Sequence, residues 1–126
     1  MEQKAIKLLD SVILIDHLNG ISAASRYLEV HANECALSAI TRAEVLAGIR
    51  GPALQTVSRF LNLFTFAAID RPEADLAAEF RRTEGWKLPD AFQAAIARLH
   101  HLRLVTRNTK DFPPAKYPFV EVPYRL

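Results

Sequence analysis

The chain has 126 residues, half of them hydrophobic and 24% charged, the balance of one globular domain over 1–126 rather than of a disordered or fibrous chain. No run approaches the roughly 18 uninterrupted apolar residues of a membrane helix, and Asp10 and Asp16 break the N-terminal apolar stretch, which makes it a poor secretion signal; a cytoplasmic protein with no membrane partner is expected. At a net charge of +2 the chain is mildly basic and holds no block of like charges, although 11 of the 16 basic residues are arginine, whose planar fork suits phosphate and surface ion pairs alike.

In chain order, the short apolar run 5–9 predicts a buried strand ending at Asp10. Residues 12–18 read as a helix stopping near Asn19-Gly20, and 21–30 as a second helical piece. A strand is expected over 35–40, then a helix over 41–49 closed by Gly51-Pro52. Residues 53–63 place Leu54, Val57, Phe60 and Leu61 on one helical stripe. A third strand over 66–69 leads into Asp70-Arg71-Pro72-Glu73, a capped start for a helix ending before Gly85. Residues 89–101 form a helix with Phe92, Ala95, Ile96 and Leu99 on its apolar face, and strands follow over 102–106 and 119–122. Strands alternating with helices imply an α/β fold, a three-layer α/β/α sandwich around a mostly parallel sheet of about five strands. The lone Cys35 can form no intrachain disulfide and reads as a small core residue.

Four of the fourteen acids fall where such a sheet binds ligands, at the carboxyl ends of its strands and the amino ends of the returning helices. Asp10 ends the first strand, Glu44 sits in the first turn expected after the second, Asp90 follows Pro89 at a helix start, and Asp111 lies in the loop past the fourth strand. Each has a local alternative. Asp10 can cap the next helix, Thr41-Arg42-Ala43-Glu44 matches a capping box, Pro89-Asp90 suits a helix dipole, and Asp111 can be an ordinary loop residue. Convergence favours a joint role, because grouped carboxylates repel one another unless a cation compensates. Oxygen ligands without His or Cys suit Mg2+ or Mn2+, and such a site hydrolyses phosphodiesters. Arg42, Lys87, Arg107 and Lys110 stand near the same edge and could guide the phosphates of RNA, or remain solvated surface charge.

The segments carrying these acids resemble the PIN-domain family, in particular the VapC-like ribonuclease toxins of type II toxin–antitoxin pairs. Leu8-Leu9-Asp10-Ser11-Val12 is similar to the family's opening motif, Ser38-Ala39-Ile40-Thr41-Arg42-Ala43-Glu44 with Gly48 to its second, Leu88-Pro89-Asp90-Ala91 to its third, and Leu104-Val105-Thr106-Arg107-Asn108-Thr109-Lys110-Asp111-Phe112 to its fourth. The resemblance implies Mg2+-dependent (or Mn2+-dependent) endoribonuclease activity. It makes Asp10 and Asp90 the main metal ligands, with Glu44 and Asp111 completing the cluster and Ser11, Thr106 and Asn108 supporting it. It also implies a homodimer and a cognate antitoxin docking at the active-site groove. Val12 departs from the small polar residue usual two places after the first aspartate, which bears on substrate positioning. Alternatives with the same fold are a PIN nuclease of RNA processing and a catalytically silent RNA- or protein-binding module. Loss of acids would mark the silent module, and all four are present.

Other chemistries lack their motifs. No H-E-x-x-H contains His17, His31, His100 or His101, and neither a G-x-S-x-G elbow nor a phosphate-binding glycine loop occurs. Trp86 beside Lys87 could stack on a base, but after Gly85 it reads rather as a partly buried packing residue.

Overall fold

The computed structural model describes residues 4–126. Five strands, β1 (Lys7–Leu9), β2 (Cys35–Ser38), β3 (Thr65–Ala67), β4 (Arg103–Val105) and β5 (Val120–Glu121), alternate with six helices. These are α1 (Ser11–Leu18), α2 (Ser22–His31), α3 (Ala39–Ala47), α4 (Ala53–Leu61), α5 (Arg71–Glu84) and α6 (Leu88–Leu99). The strands pair in parallel throughout, in the order β3-β2-β1-β4-β5. No described helix is long and apolar enough to cross a membrane.

Alternation along each strand divides the core into two layers. Leu8, Ala36, Leu104 and Val120 face a cluster completed by Ala77 of α5 and the α6 residues Ala91, Ala94, Ala95 and Ile96. Leu9, Leu37, Cys35 and Val105 face the other side, against Ile13 and Leu14 of α1, Leu28 of α2, Val45 of α3 and Leu61 of α4. The central strands are therefore buried on both faces, which is why they read as continuous apolar runs. The alanines of α6 combine high helix propensity with a low profile, and the helix packs closely on both the sheet and α5.

Two expected boundaries move for physical reasons. The helix expected from Thr41 begins at Ala39, because Ser38 is its cap and accepts from the Thr41 amide at 3.1 Å. Thr41 is fully buried inside the first turn, so the capping box with Glu44 does not form and Glu44 lies in the second turn. The third strand ends at Ala67 instead of reaching residue 69, and as an edge strand it leaves Phe66 55% exposed. The cap at Asp70 forms as expected, with its amide donating to Glu73 Oε1 at 2.7 Å. Gly85 then ends α5 at φ 78°, a left-handed conformation that suits glycine.

Candidate active site

The sheet order reverses at β1, whose neighbours are β2 on one side and β4 on the other. At such a switch point the connections leave the strand ends in opposite directions and open a crevice between them. Asp10 follows β1 and Thr106 follows β4, and they meet across this crevice. Thr106 Oγ1 donates to Asp10 Oδ2 at 2.6 Å, while the Ser11 amide donates to Oδ1 at 2.8 Å. Asp10 therefore caps α1 and belongs to the acidic edge at once. It is only 9% exposed, and both its oxygens are held.

Asp90 occupies the first turn of α6. The helix dipole and nearby Lys87 both favour its charged form. Even so, burial, followed by the fields of Asp10, Asp111 and Glu44, pushes its carboxyl up to about 6. Repulsion and desolvation together outweigh the dipole. Burial likewise raises Glu44, with Asp10 adding to the rise and a hydrogen bond from Ser11 opposing it. The Glu44 residue as a whole is exposed.

Asp111 lies on the loop after β4, where Asn108 Nδ2 donates to its Oδ2 at 3.0 Å and Asn108 Oδ1 accepts from its amide at 3.3 Å. The Asn108 amide in turn donates to Thr106 Oγ1 at 3.0 Å. A polar chain thus runs from Asp10 through Thr106 and Asn108 to Asp111. Asp90 feels the charges of Asp10, Asp111 and Glu44, which come from separate elements. Among the described residues, however, no three Asp, Glu, His or Cys side chains are close enough to hold one ion between them.

The basic residues nominated from sequence divide sharply. Arg107 grips Asp16 with two bonds, at 2.7 and 3.0 Å. Arg42 bonds Asn62 and Ser58, both at 2.9 Å, and ties α3 to α4. Arg107 is thus paired with an acid, whereas the Arg42 guanidinium bonds only neutral groups. Lys87 and Lys110 are exposed and enter none of the ion pairs found among the described residues.

Sequence reading leaves out Asp16 and Lys116 and gives Trp86 no part in holding the Asp111 loop. Trp86 is 6% exposed, more deeply buried than expected, and its indole N–H donates to the Asp111 carbonyl at 2.8 Å, which pins the loop. Asp16 is buried and supports Arg107 from α1. Lys116 lines a cleft of about 220 Å3 beside Asp111, together with Lys110, Trp86, Tyr117 and Glu84. The remaining candidates lie elsewhere. His17 bonds Ser25 at 2.8 Å, His31 and His100 face Glu34 and Glu73, and burial pushes the Cys35 thiol up to about 12, which removes it as a nucleophile.

The sequence profile described as the PIN domain matches residues 7–115, a span holding all four acids. The chain belongs to the PIN-domain family. Among similar PIN proteins, ribonuclease VapC19 of Mycobacterium tuberculosis is 30% identical over 127 residues, covering 94% of this chain and 100% of that protein. Ribonuclease VapC10 of the same organism is 33% identical over 113 residues, covering 84% and 85%. In structure, a chain of a toxin–antitoxin complex from Klebsiella pneumoniae superposes with a TM-score of 0.86 at 38% identity, covering 95% of this chain and 99% of that one. The PIN-like α/β sandwich expected from sequence is thus the observed fold.

Proposed function

We propose that this PIN domain is a divalent-cation-dependent endoribonuclease, the toxin of a type II toxin–antitoxin pair, acting through Asp10, Glu44, Asp90 and Asp111. The observation that carries the reading is the hydrogen-bonded chain that joins Asp10 to Asp111 through Thr106 and Asn108 at the carboxyl ends of the strands, beside the raised Asp90 carboxyl. The donor set fits a hard cation, since it consists of carboxylate oxygens with hydroxyl and amide support and without sulfur or imidazole. Asp10 and Asp90 would hold the ion, Mg2+ or Mn2+, and Glu44 and Asp111 would complete the cluster through water. When bound, the ion polarises the phosphate and makes water more acidic. The chain's own residues do the rest. Thr106 and Ser11 fix the Asp10 carboxylate, Asn108 and Trp86 fix Asp111, and Glu44 and Asp111 orient the attacking water. Support for the toxin role is the likeness to the VapC ribonucleases and to the Klebsiella toxin–antitoxin complex. The partners proposed on the same ground are an antitoxin and a second copy of this chain.

The deciding experiment is cleavage of a defined RNA with Mn2+ or Mg2+ and with EDTA. Cleavage is expected with either cation and should be abolished by EDTA; full activity in EDTA would overturn the mechanism. Of the basic residues, Lys87, Lys110 and Lys116 remain available for phosphate. Each Lys→Ala change should weaken RNA binding and lower the slope of log K against log salt by about 0.7. An unchanged slope in all three would remove them from the RNA path.

A further inference from the structure

We infer that Gln93 is a positioning residue that sets the spacing of the acid-bearing elements through a one-directional hydrogen-bond circuit buried beneath the acidic edge. The inference rests on the cation-site reading above and assigns a role to a residue outside the four acids.

Gln93 is 2% exposed and is the one polar residue among the buried positions of α6. An aliphatic side chain would fill this place without needing partners, whereas a buried amide must satisfy both its ends. Both are satisfied. Ser38 Oγ donates to Gln93 Oε1 at 2.7 Å, and Gln93 Nε2 donates to Thr41 Oγ1 at 2.7 Å. The circuit starts at the Thr41 amide, which donates to Ser38 Oγ at 3.1 Å, and ends at the Leu9 carbonyl, which accepts from Thr41 Oγ1 at 3.0 Å. A backbone N–H can only donate and a backbone C=O can only accept, so these ends fix the direction of every bond between them. They also fix which way the Gln93 amide faces.

The circuit joins β1, α3 and α6 at the places that matter for the acids. Leu9 immediately precedes Asp10. Thr41 lies one turn before Glu44 on α3, and Gln93 lies one turn after Asp90 on α6. Because α6 packs far more on α5 than on α3, the amide is a specific tie across a lightly packed junction. Three mutually repelling carboxylates need such a tie, since their charges push apart the elements that carry them.

The test compares Gln93→Leu, Gln93→Met and Gln93→Glu with the wild type for melting temperature, Mn2+ dissociation constant in folded protein, and RNA cleavage. Leu28→Ala, a destabilising change in the opposite core layer, serves as control. Gln93→Leu and Gln93→Met are expected to bind Mn2+ at least tenfold more weakly, in the range seen when groups supporting metal ligands are removed, with cleavage falling in step. Gln93→Glu should fail to rescue, because a carboxylate has no proton for Thr41 Oγ1. Leu28→Ala should lose stability but keep wild-type Mn2+ affinity. Wild-type affinity in folded Gln93→Leu or Gln93→Met would overturn the inference and leave the cation site standing. Failure of both to fold would make Gln93 purely structural and overturn it too. Absence of Mn2+ binding by the wild type would remove the cation reading itself, and this inference with it.

Discussion

Asp90→Asn is expected to melt above the wild type in EDTA at pH 7.5 and below it in saturating Mn2+, with RNA cleavage down by about 100-fold or more. In the absence of a cation the Asp90 charge is a burden, because burial and the fields of Asp10, Asp111 and Glu44 hold its carboxyl up at about 6, against an ordinary 3.8. A carboxyl raised in the folded state binds its proton more tightly there than in the unfolded chain. Its favourable contribution is therefore present below the ordinary value and is lost as pH rises through about 6. Each unit of rise corresponds to about 1.4 kcal/mol, and partial exposure discounts the total to the order of 1–2 kcal/mol. Removing the charge should thus raise the melting temperature by about 3–6 °C at pH 7.5. The gap should close below about pH 4, where the wild-type carboxyl and the amide that replaces it are both neutral. Mn2+ reverses the order, since a ligand at a hundred times its Kd stabilises the native state by about 2.7 kcal/mol, and the variant lacks one of the two main ligands. Identical melting of both proteins in EDTA across this pH range would show that the acids do not share a site.

That pair of effects was only half legible in the sequence. The positions of Asp10, Asp90 and Asp111 at strand ends and helix starts follow from alternating apolar runs, because in a parallel sheet those ends must share an edge. For Glu44 the sequence pattern indicates the right edge for the wrong reason. Ser38, Thr41 and Glu44 are spaced three apart, so two overlapping cap patterns compete in one stretch, and local sequence cannot choose between them. Tertiary burial chooses, since Thr41 is wanted inside to reach the Leu9 carbonyl and Gln93. Gln93 itself was hidden in the apolar face of its helix, where a single polar residue reads as noise until its partners, 52 and 55 residues away, are in place. The Asp111 loop is fixed by Trp86 from 25 residues upstream, a contact no local pattern announces. What sequence patterns convey is the address of each side chain. Which partner claims it is decided by packing across the chain.

Arg107 is the sharpest case, and Arg107→Ala is expected to lower stability by about 2–3 kcal/mol while leaving the salt dependence of RNA binding unchanged. The loss corresponds to a melting temperature lower by roughly 6–10 °C. Its partner Asp16 lies on the buried side of α1, with the side chain only 11% exposed. Burial alone would raise the Asp16 carboxyl, but hydrogen bonds from Arg107 and from the Tyr124 hydroxyl, at 2.8 Å, bring it below its ordinary value. Without Arg107 a buried carboxylate keeps one neutral partner, and its desolvation goes largely uncompensated. A carboxyl lowered in the folded state contributes stability that is full above the ordinary value and is lost as pH falls through its folded value. The difference between wild type and variant should accordingly shrink as pH drops below 3.8. Arg107→Lys should recover little of the loss, because an ammonium cannot span both Asp16 oxygens as the guanidinium does. Asp16→Asn combined with Arg107→Ala should be less destabilised than Arg107→Ala alone, since no charge is then stranded. Arg107 stands between Thr106 and Asn108, so its grip on α1 also directs the exit of β4, from which the Asp10–Thr106 and Asn108–Asp111 contacts hang. A variant as stable as the wild type but with a flattened salt slope would instead return Arg107 to the RNA surface, and Asp16 would lose its place as the residue that keeps it away.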